Sequence, residues 1–190
     1  MIDDSNRQPE LASGAFLEHG AFPTTLSFFD VTAKFWTELR KILPAQEVHV
    51  VDPYLLDAGG EDPATYAGNI ASLLKPALAS AGTIVIVHAK ARDGIQGLLE
   101  KNVAALNRSA QMRFRRGTGM HARYLIADRS RALRMEFSFN RIGKSFGTVS
   151  LVEGTEDLAG IVGELNRLDP VASHHPELDP SGIGRRTNPA

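Results

Sequence analysis

The chain has no cysteine. That excludes a disulfide framework and any zinc site built on thiolates, and it is compatible with a reducing cytoplasm. No apolar run approaches the roughly 20 residues that a membrane-spanning helix needs. The first thirty residues lack the charged-then-apolar pattern of a secretion signal. A soluble, cytoplasmic protein with no transmembrane segment is therefore expected. Neither sign of charge is in excess overall, since 21 Lys and Arg face 22 Asp and Glu. There is no internal repeat. No cysteine or paired-histidine ligand set lies in the folded part, and the adjacent His174 and His175 in the tail do not make a metal site by themselves, so neither a metal nor a cofactor is expected.

What is present is enough for one domain with a sizeable core: 190 residues, 43% of them hydrophobic. The charge, balanced in total, is unevenly spread. Between Arg113 and Lys144 nine Lys and Arg stand against Asp128 and Glu136, a net of +7, so the remainder carries −8. A basic block of this kind suits a polyanionic partner. It also suits a solvated arginine-rich hairpin.

Periodicity predicts an α/β fold. Residues 1–27 form a partly irregular N-terminal segment, in which Gly14, Gly20 and Pro23 break any long element. Asp30 is placed to cap a helix through Leu43, with Val31, Phe35, Leu39, Ile42 and Leu43 on one face. A strand follows from Glu47, ending at Asp52-Pro53. Asn69–Leu78 is predicted helical, with Pro76 kinking or shortening it. The apolar run Thr83–His88 reads as a strand covered on both faces. Asp93 is placed to cap a helix to about Asn107. Gln111–Arg116 is a short strand, and Met120–Ala127 and Leu133–Phe139 are paired strands around Asp128-Arg-Ser-Arg. Thr148–Val152 is a strand and Leu158–Leu168 the last helix. The expectation is a mixed sheet flanked by helices on both faces, spanning 28–168, with 169–190 a flexible tail rich in Pro, Gly and Ser.

One stretch carries chemistry: His121-Ala-Arg123, then Asp128, then Ser138-Phe-Asn140. In an extended strand His121 and Arg123 share a face, as do Ser138 and Asn140. An imidazole and a guanidinium on one face suit a phosphodiester. One attacks or moves protons while the other holds the charge. Ser138 and Asn140 add neutral donors. Asp128 reads as an acid that ties strand ends together or orients a basic neighbour, and Lys144, close after the Ser-x-Asn, as a further phosphate contact or a solvated surface cation. Arg113, Arg115 and Arg116 supply the substrate-phosphate contacts expected of the basic block. Asp52 and Tyr54 end the first strand of the sheet, where open α/β sheets gather ligands; a turn role is the alternative. Glu153 reads as a solvent-exposed loop acid, with orienting an active-site histidine from behind as the alternative. His19, His49 and His88 show no partners and are assigned to structure.

These residues resemble the signature of the phospholipase D superfamily, H-x-K-x4-D followed by G-S-x-N. Arg123 stands where that pattern has lysine and Phe137 where it has glycine, and two extra residues separate the two parts. The resemblance extends in order of elements from about Val48 to Leu168. It implies a phospholipase D-like sandwich and metal-independent phosphodiester hydrolysis, with His121 as nucleophile and Arg123, Ser138, Asn140 and Asp128 beside it. In that family two signature copies meet at one site. This chain has one: His88-Ala-Lys90 begins like a second, but Ile95 stands where the acid belongs. The resemblance therefore implies a homodimer. The basic block favours nucleic acid, DNA or RNA, over lipid, and a nuclease of a bacterial defence or restriction assembly fits. The chain also resembles the phospholipase D-like domains that follow microtubule-interacting and trafficking domains, which implies a non-catalytic module binding phosphoinositide, nucleic acid or protein.

Overall fold

The computed structural model describes residues 20–92, 94–117 and 121–170. A seven-stranded mixed sheet runs in the order β1-β7-β6-β5-β2-β3-β4. Its strands are β1 (Ala21–Phe22), β2 (Glu47–Val51), β3 (Thr83–His88), β4 (Gln111–Arg116), β5 (Arg123–Ala127), β6 (Arg131–Met135) and β7 (Gly147–Leu151). β2, β3 and β4 are parallel, while β5, β6, β7 and β1 add antiparallel neighbours on the other side of β2. The helices are α1 (Phe28–Arg40), α2 (Pro63–Leu73), α3 (Lys75–Ser80), α4 (Ile95–Leu106) and α5 (Thr155–Leu168).

The strand period of two divides the core. Val48 and Val50 of β2, Ile84 and Ile86 of β3, and Leu125 and Ala127 of β5 enter the larger cluster, with α1 to α4. Val51, Val85, Val87 and Ile126 point the other way, where Leu158, Ile161, Leu165 and Leu168 of α5 cover them. Helices thus lie on both faces, and central strands buried on both sides read as continuous apolar runs.

Several boundaries differ from expectation. α1 starts at Phe28 because Ser27, not Asp30, is the cap: its Oγ accepts from Asp30 N–H and donates to the Asp30 carboxylate. The single helix expected over Asn69–Leu78 is two, since Asp62 caps a start at Pro63 and the helix breaks at Leu74, two residues before Pro76. α5 begins at Thr155, a turn earlier than Leu158. The expected cap Asp93 lies outside the described residues. β1 was not legible, because two residues carry no period.

Two differences bear on the site. β5 begins at Arg123, so His121 precedes the strand instead of sharing its face with Arg123. β6 ends at Met135, and Phe139–Arg141 is a turn of 3-10 helix, so Ser138 and Asn140 are not strand neighbours. Phe137 and Phe139 are buried against Phe22 and Phe35 at ring-centroid distances of 5.3 and 5.6 Å, and this packing curls the chain out of the sheet.

Candidate functional site

The site is organised by Asp52, fully buried just beyond β2. Ser138 Oγ lies 2.6 and 2.7 Å from its two oxygens and donates to the carboxylate. Phe139 N–H donates to Oδ2 at 2.7 Å and Tyr54 N–H to Oδ1 at 2.9 Å. Arg123 Nε stands 3.8 Å from Oδ1, and this nitrogen is buried without a hydrogen-bond partner. Burial pushes the Asp52 carboxyl above the usual carboxylate range; the Ser138 hydroxyl, the two N–H groups and Arg123 oppose that rise. The topology explains the meeting. β5 is antiparallel to β2 with Val51 opposite Tyr124, so Arg123, at the start of β5, lies beside the end of β2.

Above this carboxylate an open groove of about 360 Å³ is lined by Tyr54, Arg123, Glu136, Phe137, Ser138, Asn140, Arg141 and Ser145. Three residues of the sequence motif therefore converge on one groove. Their roles differ from expectation. Ser138 is buried and its hydroxyl is committed to Asp52, which fixes the 3-10 turn. Asn140 Nδ2 donates to Asp57 O at 3.0 Å, which anchors it to the loop after β2 while it remains on the groove wall. Asp128 is the acid that ties strand ends: Oδ1 accepts from Gln46 N–H and Glu47 N–H, both at 2.9 Å. It is at the opposite end of β5 from the groove. His121 is exposed, two residues before β5.

The other expected phosphate contacts scatter. Arg113 pairs with Glu47, and Arg115 Nε with Asp169 Oδ1 at 2.8 Å, on the sheet face that α5 covers. Lys144 is bound to Glu61 at 2.5 Å, beside a separate apolar cleft. Glu153 borders a recess with Tyr124, Arg134 and Asp157 on the α5 side, away from Asp52. Only Arg116 of the three-arginine group lies at the groove's end of the sheet, where it shares a second recess of about 410 Å³ with Asp57, His88, Lys90 and Arg92.

Sequence reading gave Asp52 both a turn and a possible site role. The turn is present, since Tyr54 N–H closes an Asx turn on the carboxylate, and the same carboxylate also holds Ser138. It missed Lys90, whose Nζ lies 5.2 Å from the centre of the Tyr54 ring. It also missed the partners of His49. That histidine is fully buried on β2, with Nε2 3.0 Å from Asp169 Oδ2 and 3.5 Å from Glu47 Oε1. Arg129 donates to Asp169 O at 2.9 Å. Asp169, assigned to a tail, is in fact buried and terminates α5. Among the described residues no group of three or more His, Asp or Glu is placed to hold a metal ion, and no helix is long and apolar enough to cross a membrane.

No family model matches the chain, and no curated protein matches it. Among solved structures it is similar to TrmBL2, an archaeal chromatin protein with a novel mode of DNA binding, at 15% identity and a TM-score of 0.41. That likeness covers 74% of this chain and 48% of TrmBL2. It is also similar to polyphosphate kinase from Porphyromonas gingivalis, at 14% identity and a TM-score of 0.45. There the match covers 78% of this chain and 25% of the kinase. The chain thus spans about half the length of the first and a quarter of the second.

Proposed function

We propose that the chain is a metal-independent phosphodiesterase of phospholipase D type that acts on nucleic acid. The observation that carries this reading is the convergence of Arg123, Ser138 and Asn140 on one groove at the end of β2, with His121 two residues before Arg123. In the proposed reaction Arg123 and the Asn140 amide hold the non-bridging phosphate oxygens. His121 attacks phosphorus and the bond to the leaving oxygen breaks. The departing oxygen takes its proton from the histidine of a second copy of the chain, and water then cleaves the phosphohistidine. Cationic and amide donors offset the developing charge. One signature copy per chain makes the active form a homodimer. The basic residues around the groove favour a polynucleotide over a lipid.

The test is incubation with labelled single- and double-stranded DNA and RNA in EDTA. The wild type cleaves at least one of them and His121→Ala cleaves none. Activity that persists in His121→Ala, or that vanishes in EDTA and returns with magnesium, contradicts the proposal. Light scattering on the active protein gives a dimer, and full activity as a monomer at micromolar concentration contradicts that part.

A second reading, a binding module without turnover, has one observation in its favour. Ser138 is committed to the buried Asp52 carboxylate and so holds the turn that puts Asn140 on the groove lined by Arg123, whether or not chemistry follows. Arg123→Lys separates the two. Activity holds or rises if the site is catalytic. Affinity changes slightly and no activity emerges if it only binds.

A further inference from the structure

We infer that the substrate strand is single-stranded and that Tyr54 is the platform on which one of its bases stacks, with Lys90 and Arg116 carrying the backbone away from the groove. This rests on the proposed phosphodiester site and specifies what that site accepts. Tyr54 is one of the few large aromatic side chains left exposed, at 36%, and it lines the Arg123 groove. Lys90 Nζ lies over its ring at 5.2 Å and at the same time borders the neighbouring recess with Arg116 and His88. The two recesses are therefore joined through the Tyr54–Lys90 pair.

The platform is rigid. Tyr54 N–H is held by Asp52. Pro53 O accepts from both Ala89 N–H and Lys90 N–H, at 3.1 and 2.9 Å, and Arg92 N–H donates to Leu56 O at 2.8 Å. These bonds lock the loop after β2 to the loop after β3. An aromatic ring presented by a fixed backbone loses little entropy when a base stacks on it. The charges follow the same path. Arg141 and Arg123 line the first recess and Arg116 and Lys90 the second. The opposing acids are Glu136 on the groove wall and Asp57, which is paired with Arg92 at 2.8 Å. Burial keeps His88 below its ordinary pKa, and nearby Arg116 adds to this, so His88 contributes a neutral ring to the track. Cations alternating with an aromatic face suit unpaired bases, whose π-faces a duplex conceals.

The test is fluorescence anisotropy with the full-length chain in a His121→Ala background, so that the probe stays intact. The probes are a labelled oligo-dT and a duplex of equal length. Tyr54→Ala weakens oligo-dT binding roughly tenfold to a hundredfold, Tyr54→Phe leaves it within a few-fold, and duplex binding is weak throughout. Lys90→Ala with Arg116→Ala flattens the log–log salt slope by about 0.7 for each phosphate no longer neutralised. If Arg123→Ala weakens binding but Tyr54→Ala binds oligo-dT as tightly as its parent, the site stands and this inference falls. Duplex bound as tightly as the single strand also overturns it. If the parent binds neither probe, the phosphodiester site falls as well.

Discussion

Two polar clusters sit on the same strand, β2, and differ in how their charge is balanced. On the α5 face, His49, Asp169, Glu47, Arg113, Arg115 and Arg129 form a closed set in which each arginine contacts an acid. At the end of the strand, Asp52 gathers one hydroxyl and two N–H groups, and Arg123 stands near it without a hydrogen bond to it. Arg141, Lys90 and Arg116 surround that cluster and have no carboxylate partner among the described residues. A network whose charges are paired holds a fold together, even though His49 Nδ1 and Arg113 Nε have no hydrogen-bond partner. A cluster with one buried acid and surplus cation suits the anionic substrate proposed above. The number of basic residues along the sequence does not separate the two; the face on which each side chain falls does.

The contrast can be broken from the Asp52 side first. Asp52→Ala leaves Ser138 and two N–H groups without their acceptor and the Arg123 guanidinium without its counter-charge, at a cost of about 3–5 kcal/mol. Urea unfolding reads this, and a loss under about 1 kcal/mol contradicts the organising role. Asp169→Ala removes the partner of His49, Arg115 and Arg129 and costs about 1–3 kcal/mol, while leaving oligonucleotide affinity within a few-fold. Equal damage to binding would show that the clusters are not separate. Lys90→Ala and Arg141→Ala change stability by no more than about 0.5 kcal/mol, since both side chains are exposed, and their effect falls on binding.

The closed cluster also has a pH signature. Burial first, then Arg129, keeps His49 below its ordinary value of 6.5 against the pull of Asp169 and Glu47. Burial opposes ionisation of Asp169, yet hydrogen bonds from Arg115 and His49 hold it below the usual range. Both shifts have the same sign for stability. The unfolded chain takes up protons first, so stability is complete above about pH 6.5 and is lost as the pH falls. Thermal melts from about pH 7.5 to about pH 5 show a declining Tm, and His49→Gln makes the early part of that decline shallower. A Tm that rises on acidification contradicts this.

Much of the fold was legible because its signals are local. The run Thr83–His88 and the strand Gln111–Arg116 appear with the bounds expected, and the period of two in β2 and β5 divides the core as described. The site was partly legible. Arg123, Ser138 and Asn140 do meet, but not as strand neighbours, because the burial of Phe137 and Phe139 is a tertiary event that spacing does not encode. The acceptor of Ser138 lies 86 residues earlier, and the partner of His49 is 120 residues later. No local pattern announces such pairs. The same limit scattered the arginine block: alternation along β4 sends Arg113 and Arg115 to the α5 face, and only Arg116, at the strand's end, lies beside the second recess.

The central claim, that the open cluster binds a polynucleotide and the closed one does not, is tested most directly by one pair of variants. In the His121→Ala background, the affinity for labelled oligo-dT is compared between Arg123→Ala and Arg115→Ala. Removing the charge-assisted phosphate partner in Arg123→Ala weakens binding by about 1–3 kcal/mol, while Arg115→Ala stays within a few-fold of its parent. Equal losses in the two variants, or no loss in Arg123→Ala, would contradict the account.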